Sequence, residues 1–343
     1  MKIYRSLAEV PPPKAPTVAT IGNFDGVHLG HQSVIAEVID RARFLGGQSL
    51  AITFDPHPAR VLRPEQPLAL ITPLARKLEL LAATGIDATL ILPFTDALRH
   101  MTAREFASSI LVDTLHVTEV HEGENFNFGY RPPDSPATEN SVASLEALGQ
   151  ELGFSVTIYA PRSLRGSPVS SSRIRKLIAE GDVRHARALL GRSFSIDSTP
   201  APGRGYGAKY AVPTINLAPY PELMPAHGVY ITTLTIGSGP AGETFEAVTN
   251  VGNRPTFGAD SFAVESHLLN FHPLEGDQAL TEQTPLRLTF LTRLRAERPF
   301  PTTQALRNQI ARDVAHARRY FTLCRALGRR SKLNQDSITG ETE

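Results

Sequence analysis

Five short runs rich in apolar and β-branched residues, at 18–24, 50–54, 88–92, 117–121 and 154–158, alternate with segments of helical periodicity in the first half of the chain. Strands that are apolar throughout, rather than every second residue, have both faces covered. Helices of ~10–15 residues between them are the crossovers of βαβ units. The pattern predicts an α/β fold, a Rossmann-like parallel sheet with helices on both sides. Ligands of such sheets bind in the crevice beyond the carboxyl ends of the strands.

From about residue 192 the texture changes. Strands punctuated by Pro and Gly are expected at 214–217, 229–234, 245–251, 264–269 and 286–291, and helical periodicity returns only at 302–327. Several strands at short spacing predict a small antiparallel β-barrel with one C-terminal helix packed on it. A helical pair at 170–190, interrupted at Gly181 and stopped at Gly191, closes the first half. The expected domains are 1–190 and 191–327, and the polar tail 328–343 is expected to be disordered. A length of 343 residues suits two such domains.

Charge narrows the partners. Lys and Arg number 35 against 34 Asp and Glu, so the strong basic excess of a polyanion binder is absent. Small molecules are therefore expected as partners, with no nucleic acid and no membrane. Cys324 is the one cysteine, which excludes an intrachain disulfide, a zinc cluster and a CxxC redox pair; it is expected as buried helix filler. With neither an apolar leader nor a run of ~18 apolar residues, a soluble cytoplasmic protein is expected.

The first predicted strand runs into Gly22-Asn23-Phe24-Asp25-Gly26-Val27-His28-Leu29-Gly30-His31 and then a helix. Two imidazoles at i and i+3 share one face at a helix N-terminus, where unpaired N–H groups and the helix dipole favour phosphate. Gly30 lets the backbone approach closely. In-line transfer of an adenylyl group needs no protein nucleophile, only donors aimed at charge developing on phosphate oxygens, and His28 and His31 are candidates for that work. Taken alone, the HxGH string also fits two histidines decorating a surface helix.

Further along come Thr53-Phe54-Asp55-Pro56-His57-Pro58, then Gly123-Glu124-Asn125-Phe126-Asn127-Phe128-Gly129, then Val169-Ser170-Ser171-Ser172-Arg173-Ile174-Arg175. Ser171 and Ser172 at a helix start offer hydroxyl and N–H donors or simply cap the helix, and Arg175 one turn on can clamp phosphate with its planar fork. Asn125 either reads a ligand edge or fixes its loop. Of Phe126 and Phe128, which alternate, one is expected to pack inward and the other to stack on a flat ring. His57 reads as structural.

These four segments, in this order, resemble the HxGH nucleotidyltransferase superfamily, and the string from Gly22 to His31 is similar to bifunctional bacterial riboflavin kinase/FAD synthetases. The resemblance implies adenylylation of FMN by ATP. It places His28, His31 and Arg175 among the catalytic groups and Gly22, Phe24, Gly30, Asn125, Ser171 and Ser172 among the nucleotide- and flavin-binding positions. Ser172 stands where the family usually has Thr, and Tyr130-Arg131-Pro132-Pro133-Asp134 replaces a more Gly-rich run.

The second half carries Gly203-Arg204-Gly205-Tyr206-Gly207, Pro213-Thr214-Ile215-Asn216, Asn250-Val251-Gly252-Asn253-Arg254-Pro255-Thr256-Phe257 and Val264-Glu265-Ser266-His267. Together these resemble the riboflavin kinase barrel. The resemblance implies that Gly203, Gly205 and Gly207 bring backbone near ATP phosphates and that Thr214 and Asn216 hold magnesium. Glu265 would activate the riboflavin 5′-hydroxyl. A hydroxyl and an amide oxygen suit a hard cation such as Mg2+, and phosphoryl transfer needs a carboxylate near the accepting hydroxyl. Without those neighbours, Glu265 in an alternating strand reads as one more solvent-facing residue.

The expectation is a bifunctional enzyme of FAD biosynthesis that phosphorylates riboflavin to FMN and adenylylates FMN to FAD, with ATP as co-substrate and magnesium at both sites. A first alternative is an FAD synthetase with a weakened or vestigial kinase barrel, because Ala208, Ala211 and Val212 replace an arginine, a glycine and an aromatic of the family pattern. A non-catalytic flavin store and an adenylyltransferase for another phosphate ester are the remaining alternatives.

Overall fold

The computed structural model describes residues 1–66, 68–130, 141–164, 166–201, 214–239, 242–253, 262–270 and 280–336. Backbone contacts group them into two compact units, 1–175 with 189–191 and 176–188 with 192–343.

The first unit is built on β1 (Lys2–Tyr4), β2 (Thr17–Ile21), β3 (Gln48–Asp55), β4 (Ala88–Pro93), β5 (Val117–Gly123) and β6 (Ser155–Tyr159). They form one sheet in the order β1-β4-β3-β2-β5-β6, with every pair parallel. β2 and β3 are buried along most of their length because helices cover both faces. On one side lie α1 (Leu29–Phe44) and α3 (Leu74–Ala82), with Ile35 of α1 and Leu81 of α3 sharing a core with Ala51, and the short α2 (Pro58–Leu62) follows β3. On the other, α4 (Asp96–Arg99) and α5 (Ala103–Glu105) lead into a π-helical stretch, Phe106–Thr114, followed by α6 (Val142–Leu152). Ala107, Leu111 and Leu145 bury there against Ile21, Ile52 and Leu90. The strand order reverses between β2 and β5, which is the switch point where doubly wound sheets open a ligand crevice. Strand β1 was not legible in sequence; its three residues carry too little pattern.

A small ribbon, β7 (Ser163–Leu164) with β8 (Ser167–Pro168), precedes α7 (Ser171–Ala179) and α8 (Val183–Leu190). The predicted helical pair is thus present and breaks at Gly181, after which Asp182 accepts the His185 N–H at 3.2 Å.

The second unit is an antiparallel sheet of β9 (Phe194–Ser198), β10 (Thr214–Leu217), β11 (Gly228–Ile236), β12 (Glu243–Asn253), β13 (Phe262–Leu268) and β14 (Leu286–Ala296), ordered β10-β13-β12-β11-β14-β9. Its two edges are joined: Ala201 N–H donates to Asn216 O at 2.9 Å and Ala218 N–H to Thr199 O at 2.8 Å, with a bridge between Pro200 and Leu217. These contacts curl the sheet toward the expected barrel by joining its two margins at one end. Tyr230, Phe194 and Phe290 fill the interior by stacking and edge contacts. The buried hydroxyls of Thr232, Thr249 and Ser266 satisfy one another across three strands, at 2.7 and 2.9 Å.

Helix α9 (Thr303–Asp336) buries Ala317 and Phe321 against Val229, Ile231 and Val248. Arg295 of β14 pairs with its buried Asp313 at 2.9 Å. The helix is longer than its predicted span to Leu327 and runs through Asp336; residues 337–343 lie outside the described residues. One expectation is corrected here: Cys324 is exposed rather than buried, since the side chains of residues 322–327 all face solvent beyond the buried Phe321.

Candidate active sites

Beyond β2 the chain turns through residues 22–27 before entering α1. Phe24 and Val27 have φ of 45° and 37°, a region that costs a β-branched residue on the order of 1–3 kcal/mol. Burial holds them there: both rest in the core with Ile35, Ala51 and Leu81. Asp25 supplies the second restraint. Its buried carboxylate accepts the N–H groups of Ile71 and Thr72 at 3.1 and 2.9 Å, the Thr72 hydroxyl at 3.3 Å and Arg175 Nη2 at 2.7 Å. Ser171 Oγ donates to the Asp25 carbonyl at 2.8 Å, and Arg175 Nε donates to Ala69 O at 3.0 Å. One carboxylate therefore ties the turn, the loop before α3 and the start of α7 together.

The turn delivers His28 as the N-cap of α1, where its Nδ1 accepts the His31 N–H at 3.2 Å. An accepting Nδ1 puts the proton of the neutral ring on Nε2, leaving that atom as a donor. The two imidazoles stack with centroids 3.6 Å apart, and Phe24 meets His31 edge-on at 5.3 Å. A side chain at Gly30 would come within 3.1 Å of the His28 ring, so this glycine first makes room for the imidazole. At Gly22 a side chain would sit 3.2 Å from the Phe24 ring.

The α7 serines divide their work. Ser170 caps the helix by accepting the Arg173 N–H at 3.3 Å, Ser171 binds the Asp25 carbonyl, and Ser172 is exposed. Arg175 uses Nε and Nη2 on protein partners, which leaves three of its five N–H donors for an anion. Asn125 is exposed beyond β5. Phe126 and Phe128 stack on each other at 5.5 Å, and both pack on the core with Phe106. Phe128 is the inward ring, buried in that core, and Phe126 is half-buried at its margin; the turn that follows is tight at Gly129, where a Cβ would lie 2.5 Å from Ala103 N. Arg131 to Asp134 lie outside the described residues.

Among the buried titratable residues of this unit that escaped the sequence reading are Glu122 and Lys77. Glu122, at the end of β5, spans the switch point: its Oε1 accepts the Ile21 N–H and the Thr20 hydroxyl. Burial pushes its carboxyl well above the usual range, against the pull of the two hydrogen bonds it accepts. Lys77, on α3, is buried on the same helix face as Leu78 and Leu81. A lysine at an apolar position of an amphipathic helix was the signal available for it.

His57 caps α2, its Nδ1 accepting the Ala59 N–H at 3.1 Å. Burial drives its pKa down to about 4, against the pull of Asp25. Because the unfolded ring titrates near ~6.5, the unfolded chain binds the proton more tightly, and the stability His57 contributes above that pH is lost as pH falls toward about 4. His57→Asn keeps a capping side chain and removes the titration. The fall in urea midpoint between about pH 7 and pH 5 should be smaller in the variant; an equal fall would assign the acid sensitivity to other groups.

In the barrel, register assembles the second group. Asn216 pairs with Glu265 across β10 and β13, and Glu265 pairs with Asn250 across β13 and β12; Thr214 pairs with His267 in the adjoining row. Cross-strand neighbours on one face have Cβ atoms ~5 Å apart, so Thr214, Asn216 and Glu265 share one patch although about 50 residues separate them in sequence. Alternation puts Ile215, Leu217, Val264 and Ser266 on the buried side and leaves Glu265 exposed. The hydroxyl of Thr214 and the amide oxygen of Asn216 are hard donors of the kind magnesium takes. Among the described residues no three His, Cys, Asp or Glu side chains gather as a metal cluster. Gly203, Gly205 and Gly207 lie outside the described residues, as do Ala208, Ala211, Val212 and Arg254 to Phe257.

No helix among the described residues is long and apolar enough to cross a membrane. Comparison with known proteins divides the chain as the fold does. Residues 10–173 match the FAD synthetase family and residues 190–321 the riboflavin kinase family. The bifunctional riboflavin kinase/FMN adenylyltransferase of Pseudomonas fluorescens is 35% identical over 319 residues, spanning 93% of this chain and 97% of that protein. The protein of the same description from Escherichia coli K12 is 30% identical over 326 residues, spanning 94% and 99%. A solved structure described as a macrolide-efflux protein from Streptococcus pneumoniae superposes with a TM-score of 0.78 at 23% identity, over 92% of this chain and 98% of that one, and speaks to the fold alone. Since the relatives match over nearly their whole length and in both units, the chain belongs to the bifunctional riboflavin kinase/FMN adenylyltransferase family.

Proposed function

We propose that this chain makes FMN from riboflavin in its barrel and FAD from FMN in its parallel-sheet unit, consuming one ATP in each reaction. The observation that carries the adenylyl-transfer reading is the stacked His28–His31 pair at the N-terminus of α1, beside the sheet's switch point. An FMN phosphate oxygen attacks the α-phosphorus of ATP, the bond to the β-phosphate oxygen breaks, and pyrophosphate leaves. His28 Nε2–H and the α1 N-terminus meet the charge that develops on the phosphate oxygens. Arg175, oriented by Asp25, adds a cationic fork, and Ser172 a hydroxyl. Gly22, Phe24 and Gly30 shape the turn, and Asn125 faces the flavin.

In the barrel the riboflavin 5′-hydroxyl attacks the γ-phosphorus, its proton passes to Glu265, and ADP leaves. Thr214 and Asn216 hold magnesium, which when bound offsets the phosphate charge. For Gly203, Gly205 and Gly207, which lie outside the described residues, the family resemblance is what supports a role toward the phosphates. We take 1–190 and 191–327 as the working domains; a fragment of residues 1–190 should convert FMN and ATP to FAD, and an insoluble or inactive fragment would count against that boundary. The need for ATP and the single unpaired cysteine agree with a cytoplasmic enzyme.

Chromatography of products from the full chain with ATP and magnesium tests the reading. Riboflavin should give FMN and then FAD, and FMN should give FAD with pyrophosphate. FAD from FMN without any FMN from riboflavin would leave a vestigial barrel, and no product from either would defeat the reading.

A further inference from the structure

Lys77 is 3% exposed, yet its ammonium makes a single hydrogen bond, to Thr53 Oγ1 at 3.3 Å, and no ion pair among the described residues. An ammonium carries three N–H donors, so two have no acceptor among the described residues. A buried cation left in that condition is strongly unfavourable unless something supplies negative charge. The carboxylates whose charge reaches it do not touch it: Asp25 already accepts from Ile71, Thr72 and Arg175, and Asp55 is exposed at the end of β3. Burial pushes the ammonium below its usual range, with Asp25 and Asp55 opposing.

Its place in the fold indicates the missing partner. Thr53 Oγ1 lies 3.4 Å from the Asn23 carbonyl, so the ammonium sits beside the turn that presents His28 and the α1 N-terminus. The charges of Lys77, Arg175 and Arg60 all bear on the neighbouring His57 ring and help hold it neutral, so three cations gather around this turn. The geometry points to Lys77 as a phosphate-contacting residue of the adenylyl-transfer site, taking an oxygen of the pyrophosphate portion of ATP. The long Thr53 bond holds the flexible side chain without committing it, and a compact ammonium suits the most highly charged part of the nucleotide. This rests on the adenylyl-transfer reading above.

The test uses the full chain as wild type, Lys77→Met and Lys77→Gln. Wild-type protein that makes no FAD from FMN and ATP would defeat the underlying reading. Given that activity, the variants should lose about tenfold or more in kcat/KM for ATP in the FMN-to-FAD reaction. Pyrophosphate should raise the melting temperature of wild type and leave that of the variants unmoved. Without ligand, Lys77→Met should melt no lower than wild type, because an apolar chain of similar length relieves a buried unpaired charge. FMN formation from riboflavin should not change. A variant that melts lower while keeping wild-type kcat/KM for ATP and the pyrophosphate shift would make Lys77 a structural counter-charge and overturn the proposal. Failure of both variants to fold would overturn it equally.

Discussion

Replacing His28 with Asn will cut FAD formation from FMN by about 10²-fold or more while FMN formation from riboflavin proceeds at the wild-type rate. The size is that expected for losing one donor aimed at transition-state charge. Asn is chosen because His28 does two things at once. Its Nδ1 caps α1 by accepting the His31 N–H, and Asn is as good a cap as exists, whereas Ala would forfeit about 1 kcal/mol of stability and confuse the two effects. His31→Ala should give a similar loss, because its ring stacks on His28 at 3.6 Å and keeps that imidazole in place. A His28→Asn protein that makes FAD at the wild-type rate would remove His28 from the chemistry and leave it a cap.

In the barrel, Glu265→Gln is expected to lower FMN formation by about 10²- to 10⁴-fold, the range a positioned general base contributes. FAD formation from supplied FMN should be untouched. Glu265 is exposed, so the substitution should alter stability by no more than about 0.5 kcal/mol, and lost activity cannot be ascribed to unfolding. Its position beside Asn216 in the β10–β13 register is the reason for expecting so large an effect from a surface residue. Wild-type FMN formation by Glu265→Gln would transfer the base role elsewhere on the barrel, with His267 the next group to test.

The parallel sheet, the break at Gly181 and the barrel were legible because each rests on local pattern: apolar runs, helical periodicity and turn residues. The candidate sites were legible where short motifs carry their own chemistry, as in His28 with His31 and Ser171 with Arg175. Edge strands β1 and β9 were not, since a few residues at a sheet margin carry little signal.

By itself, then, the sequence determined the succession of elements and which residue types stand at strand ends and helix starts, because those follow from backbone propensity and side-chain period. Tertiary structure alone decided which distant groups meet. Asp25 and Arg175 are 150 residues apart and become a buried pair only because α7 returns to the β2–α1 turn. Glu122 spans the switch point only because β5 lies beside β2, and Lys77 becomes a buried cation only because α3 packs under the end of β3. Pairing of that kind depends on which elements become neighbours, and no local propensity encodes it.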